Sequence, residues 1–368
     1  MGLPTGAVWV LWSSAVICGG DLTEGLPTVS ELWTSSGTTY ENTDSLAVLR
    51  LSCGSTRVFA TSKDAHRIEL HDAATGRFVR SYGSRGRRTG QFDRPNGIVA
   101  VELARATGDE GASKREQFVL VIERNSARVQ VLTANGLSPA GVFGGGLLKR
   151  PYGGAVSYRG DDTLLYVTDT HVPPDQTVKV FRLELHGSSE DVRLRASHVR
   201  CFGEKAGKGM VVEAESIAVD DRLGRVLLCD EASSPKNVKV YTLAGRFTGT
   251  TLADGLVKGD PEGIAICDDG RDGFIILTDQ QKRVTIWHLF DRKRYAHLGA
   301  FTGRPTIANT DGIALCTWPI AKSSRGALFA VDDDAEIKAY PLGDIIDLAR
   351  RARQRSASPS GKAEVAGQ

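Results

Sequence analysis

Six short apolar runs, each opening on a small or acidic residue, recur along the chain at roughly 50-residue intervals. They are Ser45–Leu49, Asn96–Val101, Gly153–Ser157, Glu215–Val219, Gly259–Ile266 and Asp311–Leu315. A period of that length belongs to propellers and solenoids rather than to a two-layer domain. Each run leads through a turn into a second apolar strand that ends in polar or acidic residues. These strands are Arg57–Lys63, Phe118–Arg124, Leu164–Asp169, Val226–Glu231, Phe274–Gln280 and Ala327–Asp332. Third strands such as Arg67–Leu70, Val178–Phe181 and Val284–Trp287 alternate with period two, and a fourth is visible at Gly76–Tyr82. Four antiparallel strands repeated six times predict an all-β chain, a six-bladed β-propeller whose closure protects its sheet edges. The sixth repeat is short after Tyr340, so a strand from 27–45 is expected to complete its sheet.

The propeller is expected over 27–348. Glu102–Gln117, polar and charged, reads as a long surface loop. The basic low-complexity segment 349–368 reads as a frayed helix end and a solvated tail. Residues 1–26 hold the mostly apolar stretch Ala7–Ile17, too short to span a bilayer. It resembles a secretory h-region, yet Met1–Gly6 carries no Lys or Arg. A secreted or periplasmic protein is expected if it is a signal, and a cytoplasmic one otherwise. The six cysteines contain no C-x-x-C pair, which argues against zinc; Cys267 and Cys316 close equivalent runs and read as buried fillers. A net charge of +2 gives no global field for nucleic acid or membrane, and a monomer is expected.

In a propeller blade the innermost strand starts at one face, and the second strand returns to it. Residues before the first strand and after the second therefore gather at one mouth. In repeats four to six those positions hold Glu215, Asp230, Glu231, Asp260, Glu262, Asp279, Gln280, Asp311, Asp332, Asp333 and Asp334. Crowded carboxylates repel one another, and an all-oxygen set with one amide carbonyl suits Ca²⁺. The alternative for any one acid is a turn held by local hydrogen bonds. Repeats one and two offer Lys63 and Arg124, with Arg85, Arg87 and Arg88 nearby, an arc suited to phosphate. H-E-x-x-H, G-x-S-x-G and Walker-type patterns are absent, and no side chain stands out as a nucleophile or general base.

The elements Ala214-Glu215-Ser216-Ile217-Ala218 with Asp230-Glu231, Asp260-Pro261-Glu262-Gly263-Ile264, Thr278-Asp279-Gln280 and Asn309-Thr310-Asp311-Gly312-Ile313 resemble the metal-binding motifs of the β-propeller (alkaline) phytases. Lys63-Asp64, Glu123-Arg124-Asn125 and Pro151-Tyr152-Gly153 resemble that family's phosphate-contacting elements. The resemblance implies calcium ligands at Asp44, Glu215, Glu231, Asp260, Glu262, Gln280 and Asp311, and substrate contacts from Lys63, Arg124 and Tyr152. It implies catalysis centred on Glu262 and Asp311, with metal-activated water releasing phosphate from phytate. The chain departs from the family's Asp-Asp-Pro-Ala at Asp44-Ser45-Leu46-Ala47, has Asp64 for a second lysine, and lacks a third-blade lysine near Thr168-Asp169-Thr170. Gly90–Ile98 resembles an NHL repeat, which implies instead a module binding protein or RNA. A gluconolactonase-type hydrolase with one central metal is a third alternative.

Overall fold

The structure, a computed structural model, describes residues 23–106, 113–188 and 191–357. Among the described residues the strands form six antiparallel sheets, one per sequence repeat, apart from one added parallel strand. The inner strands are Thr43–Arg50, Pro95–Ala106, Arg150–Arg159, Ala214–Asp220, Ile264–Cys267 and Ile313–Cys316. Each touches the inner strand of both neighbouring blades, and the last touches the first, so the ring of six blades is closed.

The second strand of each blade is apolar on both faces because it is sandwiched between two other sheets. Phe118–Ile122, for example, is almost wholly removed from solvent. The core is accordingly six wedges, each shared by two blades. One wedge joins Phe59 and Leu70 of blade one to Val119 and Val121 of blade two. Another joins Trp287 and Phe301 of blade five to Leu328 and Tyr340 of blade six. A blade therefore cannot bury its own sheet faces alone.

The expected closing strand is present. Trp33–Thr34 pairs antiparallel with Glu336–Pro341 as the outer strand of blade six. Just before it, Thr28–Ser30 adds in parallel to the outer strand of blade five, His297–Arg304. The Trp33 ring lies 5.6 Å from Phe329, and its indole N–H donates to the Ala73 carbonyl of blade one at 3.2 Å. One side chain thus ties the sixth blade to the first.

One expectation is corrected. Within Glu102–Gln117, residues Glu102–Ala106 and Ser113–Gln117 are strand rather than loop. Strands Pro95–Ala106 and Ser113–Glu123 stay in register from Glu102↔Gln117 to Ala106↔Ser113, extending the hairpin beyond the blade. Leu103 packs into the wedge between blades two and three, and the other side chains of the extension are polar or small. The basic C-terminal segment continues the helix Leu342–Ala357 past residue 349. Leu342, Ile345, Ile346 and Ala349 recur at helical spacing and pack into the wedge between blades five and six. Arg353 pairs with Asp291 at 3.2 Å, so part of the basic run is structural. Residues 358–368 and the Ala7–Ile17 stretch lie outside the described residues. Cys267 and Cys316 are free, buried and in different wedges.

Trp33→Ala removes the largest contact of the closing strand. It is expected to lower unfolding free energy by about 3–5 kcal/mol, measured by chemical denaturation. A loss below about 1 kcal/mol would show that closure does not depend on this side chain.

Candidate functional site

The inner strands of blades one to four are bulged where they begin. Their register slips between Thr43 and Leu46, Pro95 and Gly97, Pro151 and Gly154, and Ala214 and Ile217. The residue entering each bulge is Asp44, Asn96, Tyr152 or Glu215, and Glu262 and Asp311 hold the corresponding positions in blades five and six. A small residue follows in every case. Ser45, Gly97, Gly153, Ser216, Gly263 and Gly312 all line one axial cavity of about 90 Å³. A Cβ on Gly97, Gly153 or Gly312 would collide with the backbone carbonyl of the next blade's entering residue, Tyr152, Glu215 or Asp44. Small residues here let six backbones converge, and the entering side chains form a ring at the mouth of the throat.

The acids that end the second strands have a different task. Glu123 accepts the Asp93 N–H and pairs with Arg128 at 2.6 Å. Asp169 accepts the N–H groups of Lys149 and Arg150 and pairs with Lys179 at 2.8 Å. Asp230 accepts from Val212 and Glu213 and pairs with Lys239 at 2.5 Å. Asp279 takes the N–H groups of Lys258 and Gly259, and Asp332 that of Ala308 together with Lys338. Each carboxylate thus pins the segment entering its own blade. Asp230, Asp279 and Asp332, expected at the mouth, are corrected to clamps of this kind.

At the end of the second strand one residue returns to the axis in four blades, forming a second tier of Lys63, Arg124, Glu231 and Gln280, and in blade six Asp334 lies against Lys63 and Asp311. Here the sequence-expected ligands meet. One carboxylate oxygen from each of Glu215, Glu231 and Glu262 lies within 4.8 Å of the others. Burial and the charges of Asp44 and Glu213 push Glu215 up to about 8, and burial with the charges of Glu215 and Asp260 pushes Glu231 up to about 10. Glu262 is raised well above the carboxylate range by burial and by Glu231 and Glu215. Glu231 Oε1 is buried with no hydrogen-bond partner. The set is all oxygen, so it fits a hard divalent cation, which would replace the retained protons.

The other expected residues are present but differently engaged. Lys63 bridges Asp44, in close contact, and Asp311 at 3.3 Å. Burial opposes its charge, but the two carboxylates outweigh that and raise its pKa. Its ammonium is therefore engaged by the acids of blades one and six rather than facing open space. Burial and Asp44 push Asp311 up to about 8. Gln280 donates its amide N–H to Asp311, and Asp260 sits further out, paired with Lys236. Arg124 stacks 4.8 Å above the Tyr152 ring, and Tyr152 hydrogen-bonds Glu215. Sequence reasoning missed Asn96, whose signal was its place in the same Asn-Gly opening as Glu262-Gly263 and Asp311-Gly312.

No protein-family model matches the sequence, and no curated protein matches it. Among solved structures, Kuenenia stuttgartiensis hydrazine synthase is similar at 13% identity and a TM-score of 0.46, over 86% of this chain and 81% of that one. BBS1N, solved in complex with ARL6DN, is similar at 11% identity and a TM-score of 0.43, over 84% of this chain and 97% of that one. Neither likeness bears on activity.

Raised carboxylates bind protons in the folded state that the unfolded chain releases near pH 4. Their contribution to stability is complete below that pH and falls as pH rises toward about 8 to 10. Chelator-treated protein should lose on the order of a few kcal/mol between pH 5 and pH 9, and Ca²⁺ should flatten the decline. Melting temperatures that are flat or rising over this range without Ca²⁺ would count against the cluster.

Proposed function

We propose that the protein is a calcium-dependent phosphohydrolase of the phytase type, acting on phosphate monoesters at the axial mouth. The observation that carries this reading is the meeting of Glu215, Glu231 and Glu262 from two blades, with an unpartnered oxygen on Glu231. The three glutamates would hold the cation. Bound there, Ca²⁺ would supply the positive charge that stabilises phosphoryl oxygens and acidifies water.

The chain's own residues supply the rest. Arg124, kept on the Tyr152 ring, offers a guanidinium to a phosphoryl oxygen. Asp311, raised to about 8, still carries a proton at neutral pH that it can pass to the leaving oxygen. Exposed Arg85, Arg87, Lys149, Arg150, Lys205 and Lys208, on loops leading into the inner strands, give the mouth a cationic rim that attracts a polyanion. Lys63, spent on Asp44 and Asp311, leaves less charge for substrate than the family resemblance implies.

A second reading, the hydrolase with one central metal, is favoured by a specific feature. Lys63 already engages Asp44 and Asp311, so among the described residues a single carboxylate cluster is left for a cation. The deciding assay is phosphate release from phytate, beside cleavage of a simple lactone, with and without added Ca²⁺. Calcium-dependent phosphate release supports the first reading. Lactone cleavage alone supports the second. Stable protein that is indifferent to chelator and inactive on both would support a binding module. Glu262→Gln and Asp311→Asn should each lower phosphate release by about 100-fold or more with the fold intact by circular dichroism.

A further inference from the structure

In blades three, four and six the clamp acid takes its counter-charge from a lysine of the third strand: Lys179 on Asp169, Lys239 on Asp230 and Lys338 on Asp332. In blades four and six the register puts that lysine two residues beyond the acid's cross-strand partner, since Asp230 faces Asn237 and Asp332 faces Glu336. In blade five Asp279 faces Ile286, so the same position falls to His288. His288 is 7% exposed, and its Nε2 is buried 3.6 Å from Asp279 Oδ2, beyond hydrogen-bond length and without another partner. Its Nδ1 faces Nε2 of His297, the first residue of the outer strand, at 3.1 Å. His297 is exposed; its ring donates to the Gly299 backbone and lies 5.2 Å from the Phe290 ring.

We propose that His288 and His297 are the protein ligands of a further metal site, separate from the acids at the axis, that takes a transition ion of the Zn²⁺ type. Two facing nitrogens at this spacing can share one ion at the usual zinc–nitrogen length of about 2.0–2.1 Å, with an angle of about 100° at the metal. Each ring also has an acceptor behind it. A proton on His288 Nε2 points at Asp279, and with His297 Nε2 turned to His288, Nδ1 is the nitrogen left for the Gly299 carbonyl. Those tautomers oppose two lone pairs, an arrangement that a metal ion resolves, and acceptors placed in this way orient ligating histidines. Burial and the neighbouring His288 hold the pKa of His297 down to about 4, so the ring is neutral at physiological pH, as a ligand must be. Imidazole suits zinc, copper or nickel, whereas calcium takes oxygen. The ion would return to blade five the positive charge that lysine supplies to the clamp acid elsewhere, with water completing its coordination on the exposed side of His297.

The test is calorimetric titration of the full chain with Zn²⁺ in saturating Ca²⁺, after alkylation of the exposed thiols Cys53 and Cys201. Wild type is expected to bind Zn²⁺ and to melt at a higher temperature with it than without it. His297→Gln keeps a hydrogen-bonding partner for His288 but removes the imidazole, and should weaken Zn²⁺ binding by about 10-fold or more. His288→Lys installs the residue that blades three, four and six use; it should fold and lose the rise in melting temperature that Zn²⁺ gives. With Cu²⁺ as the probe, electron paramagnetic resonance should show two coordinated imidazole nitrogens in wild type and fewer in either variant. Absence of Zn²⁺ binding by wild type overturns the inference and leaves the two rings an ordinary hydrogen-bonded pair. Zn²⁺ affinity that is unchanged in both variants also overturns it, as an adventitious ion held by other side chains. Should one variant fail to fold, the other decides alone: loss of the Zn²⁺ response supports the site, and its persistence overturns it.

Discussion

Six inner strands begin around one narrow axis, and that convergence governs the rest of the molecule. Where they meet, the backbones are so close that Gly97, Gly153 and Gly312 face a neighbouring carbonyl. Any side chain entering the ring must then share a small, dry volume with five others. Had the entering residues been apolar, the throat would be a plug. Instead Asp44, Glu215, Glu262 and Asp311 bring carboxyl groups into it, and the fold must answer for their repulsion.

The answers differ around the ring. On the side of blades one and six, Lys63 is the counter-charge, built into the chain. On the side of blades four and five, protons held by Glu215, Glu231 and Glu262 do the same work and can be exchanged for a cation. The clamps at Asp169 and Asp230 solve a separate problem. They lie just outside the ring, and their lysines Lys179 and Lys239 leave them no free charge. A buried acid with a lysine and two N–H donors is satisfied, whereas a buried acid beside two more acids is not.

The blade count and the closing strand were legible in the sequence because period-two strands in a repeat of fixed length admit few arrangements. The division of the acids was not. Asp230 and Glu231 are adjacent and chemically alike, yet one faces its own blade's entering segment and the other the axis. Alternation along the strand separates them, but which parity points inward depends on the bulge, which leaves no residue signature of its own. Lys63 read as a phosphate contact because its partners, Asp44 and Asp311, come from opposite ends of the chain. Asn96 was passed over for a related reason. An amide carries no charge, so only its place before Gly97, matching Glu262-Gly263 and Asp311-Gly312, sets it apart from an ordinary turn residue. The strand extensions beyond Glu102 were hidden by polar composition, which records exposure rather than the absence of a partner strand.

The outer strand of blade six comes from early in the sequence, and Ser35 bonds to Ile337, 302 positions away. During synthesis Trp33 emerges from the ribosome long before the strand it pairs with, Glu336–Pro341, exists. The first blade must meanwhile present an uncovered flank, and the wheel cannot shut until the strand Glu336–Pro341 has been made. A chain that stops before that strand leaves the seam open, with the edge at Trp33–Thr34 unpaired.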